Sequence, residues 1–139
     1  MNKVKKQTIF LTGSTGFLGS YLLNIFIREG NKVYLLLRKD KKIDSKSKID
    51  NALNFWARTK VYKNKKLLTI IEGDIKEDNL GLKESYIKNL LSSVDVVYHC
   101  AASTKINSPL DEIREVNVEG TKNVLDLSSR IKRCGKLKK

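Results

Sequence analysis

Between Gly13 and Gly19 the chain reads GSTGFLG, with three glycines spaced three residues apart. Glycine takes positive φ in a tight turn and, lacking Cβ, lets backbone N–H groups close on an anion. A helix that starts directly afterwards aims its free amides and positive dipole end at the same point. The anion suited to such a cradle is a pyrophosphate, and Gly13, Ser14, Thr15, Gly16, Phe17, Leu18 and Gly19 are its candidate contacts. A glycine-rich βα turn with no ligand would use the same residue types, and the spacing here is GxxGxxG rather than GxGxxG, so the flanking elements must decide. Thr8 to Leu11 supplies a short strand signal before the glycines. Phe17, Leu18, Tyr21, Leu22 and Ile25 recur at helical spacing after them.

Other residues stand where a dinucleotide laid across that turn would end. Arg38 follows a second apolar run, Lys32 to Leu37, at the position where such a fold meets the adenosine ribose. An acid there accepts hydrogen bonds from a free 2′-hydroxyl, whereas an arginine offers a charge-assisted fork to a 2′-phosphate. This favours NADP(H) over NAD(H). Lys39 reinforces the choice, Asp40 argues mildly against it, and a surface arginine in a basic loop is the plainer alternative. Asp74, with Ile75 behind it, ends the third apolar run and is placed to accept a hydrogen bond from the adenine amine. An aspartate after Gly73 is also an ordinary turn former. Ala101, Ala102 and Ser103 end the fourth run, and small residues at a strand tip let a flat nicotinamide lie close to the backbone. His99 is the one histidine, with no Ser or Cys nucleophile arranged around it, and reads as a strand-end residue.

The elements that must position these residues follow in order. The first helix runs to about Glu29, with Gly30 and Asn31 as its stop signal. Val33 to Leu37, Leu67 to Glu72 and Val94 to Cys100 are continuous apolar runs, as expected of parallel strands covered on both faces. Asp40 to Lys48 is a polar loop, and Ile49, Leu53, Trp56 and Val61 form the apolar face of a second helix whose aromatics read as core. A short helix over 85–91 precedes the fourth strand. Pro109 starts a last helix patterned by Ile113, Val116, Val118, Val124, Leu125, Leu127 and Ile131. The fold expected is an α/β, doubly wound, Rossmann-like parallel sheet of about four strands in the order 3-2-1-4.

Five short elements, TGSTGFLG, GDIKEDNLGL, HCAAS and NVEGT together with Arg38 after the second strand, occur in the order found in the extended short-chain dehydrogenase/reductases. The chain resembles that superfamily from Thr8 to about Ser129. Its Gly73–Leu82 segment is similar to the GDI…LGL element of thioester reductase domains and fatty acyl-CoA reductases. The resemblance implies an NADP(H)-binding part of an oxidoreductase that reduces acyl thioesters, on coenzyme A or on a carrier protein, to aldehyde or alcohol. It also implies that Asn117 helps to place active-site hydrogen bonds and that Gly120 packs on the sheet. In that family a Ser or Thr and a Tyr-xxx-Lys pair perform the acid chemistry on later elements. Tyr62 and Lys66 have the pair's spacing but lie before the third strand in a lysine-rich run, so no catalytic residue is assigned within 1–139. The chain is therefore expected to be the N-terminal portion of a longer reductase domain, with its fourth strand an open edge that promotes marginal stability or association. A sugar-nucleotide epimerase or dihydroflavonol-reductase relative, and a non-catalytic NADP-binding module, are the alternatives.

Composition bounds these readings. A chain of 139 residues has room for one domain. Twenty-eight Lys and Arg against fifteen Asp and Glu leave a net charge of +13, which attracts polyanions. The lysines are spread over helix surfaces and termini without interleaved aromatics, so solvated faces are favoured over nucleic-acid binding. Cys100 and Cys134 are too few for a disulfide scaffold and lack metal spacing. With neither a signal peptide nor a membrane-length apolar run, a reduced cytoplasmic location is expected.

Overall fold

The computed structural model describes residues 5–56 and 66–134. Val61 and Tyr62, which enter the sequence reading, lie outside them. Strands β1 (Thr8–Thr12), β2 (Lys32–Leu37), β3 (Leu68–Glu72) and β4 (Val96–His99) form a parallel sheet in the order β3-β2-β1-β4, as the motif order predicts. Side chains alternate across a strand, so β1 feeds two cores. Ile9 and Leu11 pack with Leu23, Phe26 and Ile27 of α1 (Phe17–Arg28) and with Ile49 and Leu53 of α2 (Ser45–Trp56). Phe10 points the other way, into a core with Ile87 and Leu90 of α3 (Glu84–Ser93) and Val124, Leu127 and Ile131 of the last helix. No helix among the described residues is long and apolar enough to cross a membrane.

Three expectations need correction. The face of α1 that meets the sheet is Gly19, Leu23, Phe26 and Ile27, while Phe17 (76% exposed), Leu18 (59%) and Tyr21 (45%) face outward. Gly19 sets this rotation. A Cβ there would stand 2.7 Å from the Gly13 carbonyl carbon, so only a glycine-bearing face can seat the helix on the turn, and residues four and seven positions on share that face. The fourth strand is shorter than its apolar run, because Val94 caps α3 with its N–H on the Leu90 carbonyl at 3.0 Å. The last helix is not uniform: α4 (Leu110–Arg114) passes through a π turn, Glu115–Glu119, into α5 (Gly120–Arg133). One residue of extra winding changes which positions face the sheet, and Val118 and Leu125 are exposed.

Candidate functional site

The strands present their C-terminal ends together, and the sheet reverses direction of progression at β1, with β2 on one side and β4 on the other. A cleft of about 230 Å³ opens at that switch point. Gly13, Thr15 and Gly16 form one wall, Arg38, Asp74 and Ile75 lie toward the β2–β3 side, and Ala101 and Ala102 stand on the β4 side. Eight of the residues singled out from sequence therefore meet in one place. Ser103 lines the adjoining pocket with Arg38 and Ala102. Ser14, Phe17, Leu18 and Gly19 do not line the cleft. Ser14 is wholly buried behind the turn and its hydroxyl has no partner among the described residues, and Gly19 is committed to packing.

The glycines differ in what they do. Gly13 has φ +72°, and a Cβ there would stand 2.5 Å from the Cys100 carbonyl carbon, so this glycine lets the turn lie against the tip of β4. Gly16 instead has extended backbone (φ −77°, ψ 170°) and is the N-cap of α1. A Cβ at Gly16 would meet only the Gly13 carbonyl oxygen at 3.4 Å, so its bareness keeps the cleft open beside the first turn of α1. Among the described residues no side chain caps that helix, so its first amides have no side-chain partner. Behind the turn, the Trp56 indole Nε1–H donates to Ser20 Oγ at 2.8 Å, and its ring meets Phe17 and Tyr21 edge-on. Trp56 thus clasps α2 to α1, whereas Phe55, expected in the core, is exposed.

At the β2 end, Arg38 borders three connected parts of the cleft. Asp40, which argued against a 2′-phosphate, is paired with a lysine. It accepts the Lys42 backbone N–H at 2.8 Å and pairs with Lys48 Nζ at 3.0 Å, contacts that hold its carboxyl below the usual carboxylate range. Lys39, Asp40 and Lys48 all line the same pocket as Arg38. Asp74 is a turn former that also lines the cleft. Its Oδ1 accepts the Lys76 N–H at 3.0 Å in an Asx turn, and the residue still faces the cleft.

A hydrogen-bonded chain that sequence reasoning missed ties the β4-side wall together. Thr121 Oγ1 donates to the Asn117 carbonyl at 2.7 Å, so it accepts from His99 Nε2–H at 3.1 Å. His99 Nδ1 then accepts from Thr12 Oγ1 at 2.6 Å, and Thr12 in turn accepts the Ala101 N–H at 3.3 Å. Both ring nitrogens are used by the neutral imidazole, and partial burial lowers the His99 pKa from the ordinary value. Burial likewise raises that of the Cys100 thiol, which keeps it protonated. Asn117, on the π turn, accepts the Ser103 N–H at 2.7 Å and donates to the Ser103 carbonyl at 3.0 Å. The strand-tip histidine and the helix Thr at i+4 from Asn117 were visible as letters; their pairing was not, because it depends on the π turn's rotation.

The profile of the male sterility protein family matches residues 11–137. The chain belongs to that family. As a member of the male sterility protein family it is 32% identical over 133 residues to the fatty acyl-CoA reductase wat of Drosophila melanogaster, covering 91% of this chain and 26% of that protein. It is 34% identical over 134 residues to probable polyketide synthase 3 of Dictyostelium discoideum, covering 91% of this chain and 5% of the relative. Among solved structures, the terminal R domain from the myxalamid PKS-NRPS biosynthetic pathway superposes with a TM-score of 0.78 at 30% identity, over 92% of this chain and 33% of that one. The reductase domain of a nonribosomal peptide synthetase from Mycobacterium tuberculosis follows at TM-score 0.71 and 25% identity, over 96% of this chain and 32% of that one. This male sterility protein family member thus spans about a third or less of the proteins it resembles. Its sequence and fold are related to those of fatty acyl-CoA reductases and of nonribosomal peptide synthetase reductase domains.

Proposed function

We propose that the chain is the NADP(H)-binding part of a larger oxidoreductase domain that reduces acyl thioesters to aldehyde or alcohol. The observation that carries this reading is the cleft at the sheet's switch point, lined together by a bare glycine turn, the arginine after β2 and a two-alanine strand tip. Its residues fit the cofactor. The uncapped start of α1 with Gly16 would hold the pyrophosphate, Arg38 the 2′-phosphate, Asp74 the adenine amine, and Ala101 with Ala102 the nicotinamide face. When bound, NADPH supplies a hydride. The chain's own residues bind and orient: Asn117 fixes the backbone at Ser103, and His99, held neutral, places no charge behind the nicotinamide side. Kinship with fatty acyl-CoA reductases and polyketide and nonribosomal peptide R domains supports a thioester, free or carrier-bound, as the substrate of the whole domain.

The test is a calorimetric titration of the chain with NADPH and NADH at fixed salt. NADPH is expected to bind more tightly, and Arg38→Ala to weaken NADPH alone by about 1.5–3 kcal/mol, the worth of hydrogen bonds to a charged group. Equal losses for both cofactors would remove Arg38 as the discriminator. No binding of either by a folded sample would end the reading.

A further inference from the structure

Three consecutive residues between β3 and α3 adopt left-handed backbone: Asn79 (φ 52°), Leu80 (φ 59°) and Gly81 (φ 63°). Asparagine and glycine visit this region readily. A leucine does not, because its Cβ crowds the following carbonyl. Leu80 is nevertheless wholly buried, and the surroundings hold it there. Its side chain packs in the core with Ile75, Leu82, Val124 and Leu127. Its N–H donates to the Glu77 carbonyl at 2.9 Å, and Arg130 Nη1 donates to Asn79 Oδ1 at 2.6 Å.

This strained turn delivers one group to the cleft's edge. The Leu80 carbonyl accepts the Asp74 N–H at 2.9 Å. The approach requires Gly73, since a Cβ there would collide with that same carbonyl oxygen. From the opposite side, Asn123 Nδ2 donates to the Ile75 carbonyl at 2.8 Å. The backbone at 74–75 is gripped from both sides, and no residue of 79–80 lines the central cleft itself. An outlier backbone held in place by so many contacts invites a functional reading beside its packing role.

We infer that the left-handed turn at 79–81 is a positioning element for adenine recognition, with Leu80 the positioning residue that acts through Asp74. This rests on the proposed assignment of Asp74 to the adenine amine. The turn sets the height of Asp74 against the cleft, so disturbing it should erode discrimination at the purine's 6-position before it erodes cofactor binding as a whole. It also gives the LGL letters of this segment a physical meaning. The first leucine and the glycine are the left-handed pair, and the second leucine closes the turn, its N–H on the Asn79 carbonyl at 3.1 Å.

The experiment compares NADPH with reduced nicotinamide hypoxanthine dinucleotide phosphate, in which a carbonyl replaces the amine. The wild-type chain should prefer NADPH by about tenfold or more, the worth of a hydrogen bond to a carboxylate. Gly81→Ala is the probing variant, because a Cβ there would meet nothing closer than 3.6 Å and only the backbone preference changes. Its preference ratio should fall toward one. Arg130→Ala, which removes the tie to Asn79 from a half-buried position, should lower the ratio in the same direction and carries the test alone if Gly81→Ala fails to fold. A lowered melting temperature with an unchanged ratio would make the turn purely structural and overturn the inference. Equal wild-type binding of both dinucleotides would overturn it through Asp74 while leaving the cofactor reading intact. Binding of neither would sink the cofactor reading itself.

Discussion

At the scale of single residues, Gly13 and Gly16 look interchangeable in the string GSTG and are not. Gly13 is bare because the β4 backbone occupies the space where its Cβ would go; Gly16 is bare toward open cleft. Gly16→Val should therefore leave stability within about 0.5 kcal/mol while lowering NADPH affinity more than about tenfold. Gly13→Val should fail at the level of folding, combining positive φ with a backbone collision. Thermal melts paired with calorimetry separate the two, and a Gly16→Val protein that binds like wild type would remove the turn from the phosphate site. His99 yields a pH prediction. Its pKa in the folded chain lies below the unfolded value, so the unfolded state takes up the proton first as pH falls. The stability it contributes is complete above the ordinary histidine value and is lost as pH falls from there through the folded value. His99→Gln should flatten the part of the stability curve just below the ordinary histidine value, where no other histidine competes. A slope identical in both proteins would assign the pH dependence elsewhere. The residues that could be read from sequence were those whose role is local: glycines in a turn, an arginine after a strand, alanines at a strand tip. The Thr12–His99–Thr121 chain was illegible because its members lie 87 and 22 residues apart and no periodicity joins them.

At the scale of elements, the π turn at Glu115–Glu119 is where periodicity failed as a guide. A uniform helix places Val116, Val118 and Leu125 by a fixed 100° step, and the extra residue in the turn breaks the step between the flanks. The winding has a visible consequence: it brings Asn117 to the Ser103 backbone and Thr121 to His99 while Gly120 meets Ile75. Gly120 can approach because it lacks a Cβ, which would stand 2.8 Å from Ile75 Cδ1; its neighbour is the turn after β3 rather than the sheet that the resemblance implied. Asn117→Ala removes both hydrogen bonds to Ser103 and leaves its partly buried peptide unpaired, at a cost of about 1–3 kcal/mol. Urea unfolding should register that loss. Hydrogen exchange at the Ser103 amide should accelerate in the same variant, and unchanged protection there would mean the loop is held by something other than Asn117. In α1 the apolar letters misled for a different reason. Phe17, Leu18 and Tyr21 are hydrophobic but sit opposite the glycine that the turn demands, and steric exclusion at Gly19 outranks hydropathy in setting rotation.

At the scale of the whole molecule, one four-stranded sheet separates two cores that share no buried side chain, although all four strands contribute to both. β1 is central to both. It hydrogen-bonds to β2 on one side and β4 on the other, and its alternating side chains send Phe10 to the α3–α5 core and Leu11 to the α1–α2 core. Neither core can loosen without displacing the strand that anchors its opposite, so the chain should unfold as one cooperative unit despite its two-sided architecture. Phe10→Ala is expected to cost about 3–5 kcal/mol and Leu11→Ala about 2–5 kcal/mol, each by leaving a cavity beside a fully buried position. The discriminating observation is the shape of the transition rather than its midpoint. Each variant should shift a single urea transition that far-ultraviolet dichroism and Trp56 fluorescence trace alike, although Trp56 reports only from the α1–α2 side. If Phe10→Ala instead split the curves, with the dichroism moving and the tryptophan signal unmoved, the two faces would be separate folding units. The cleft would then be a seam between them rather than a site built by one sheet.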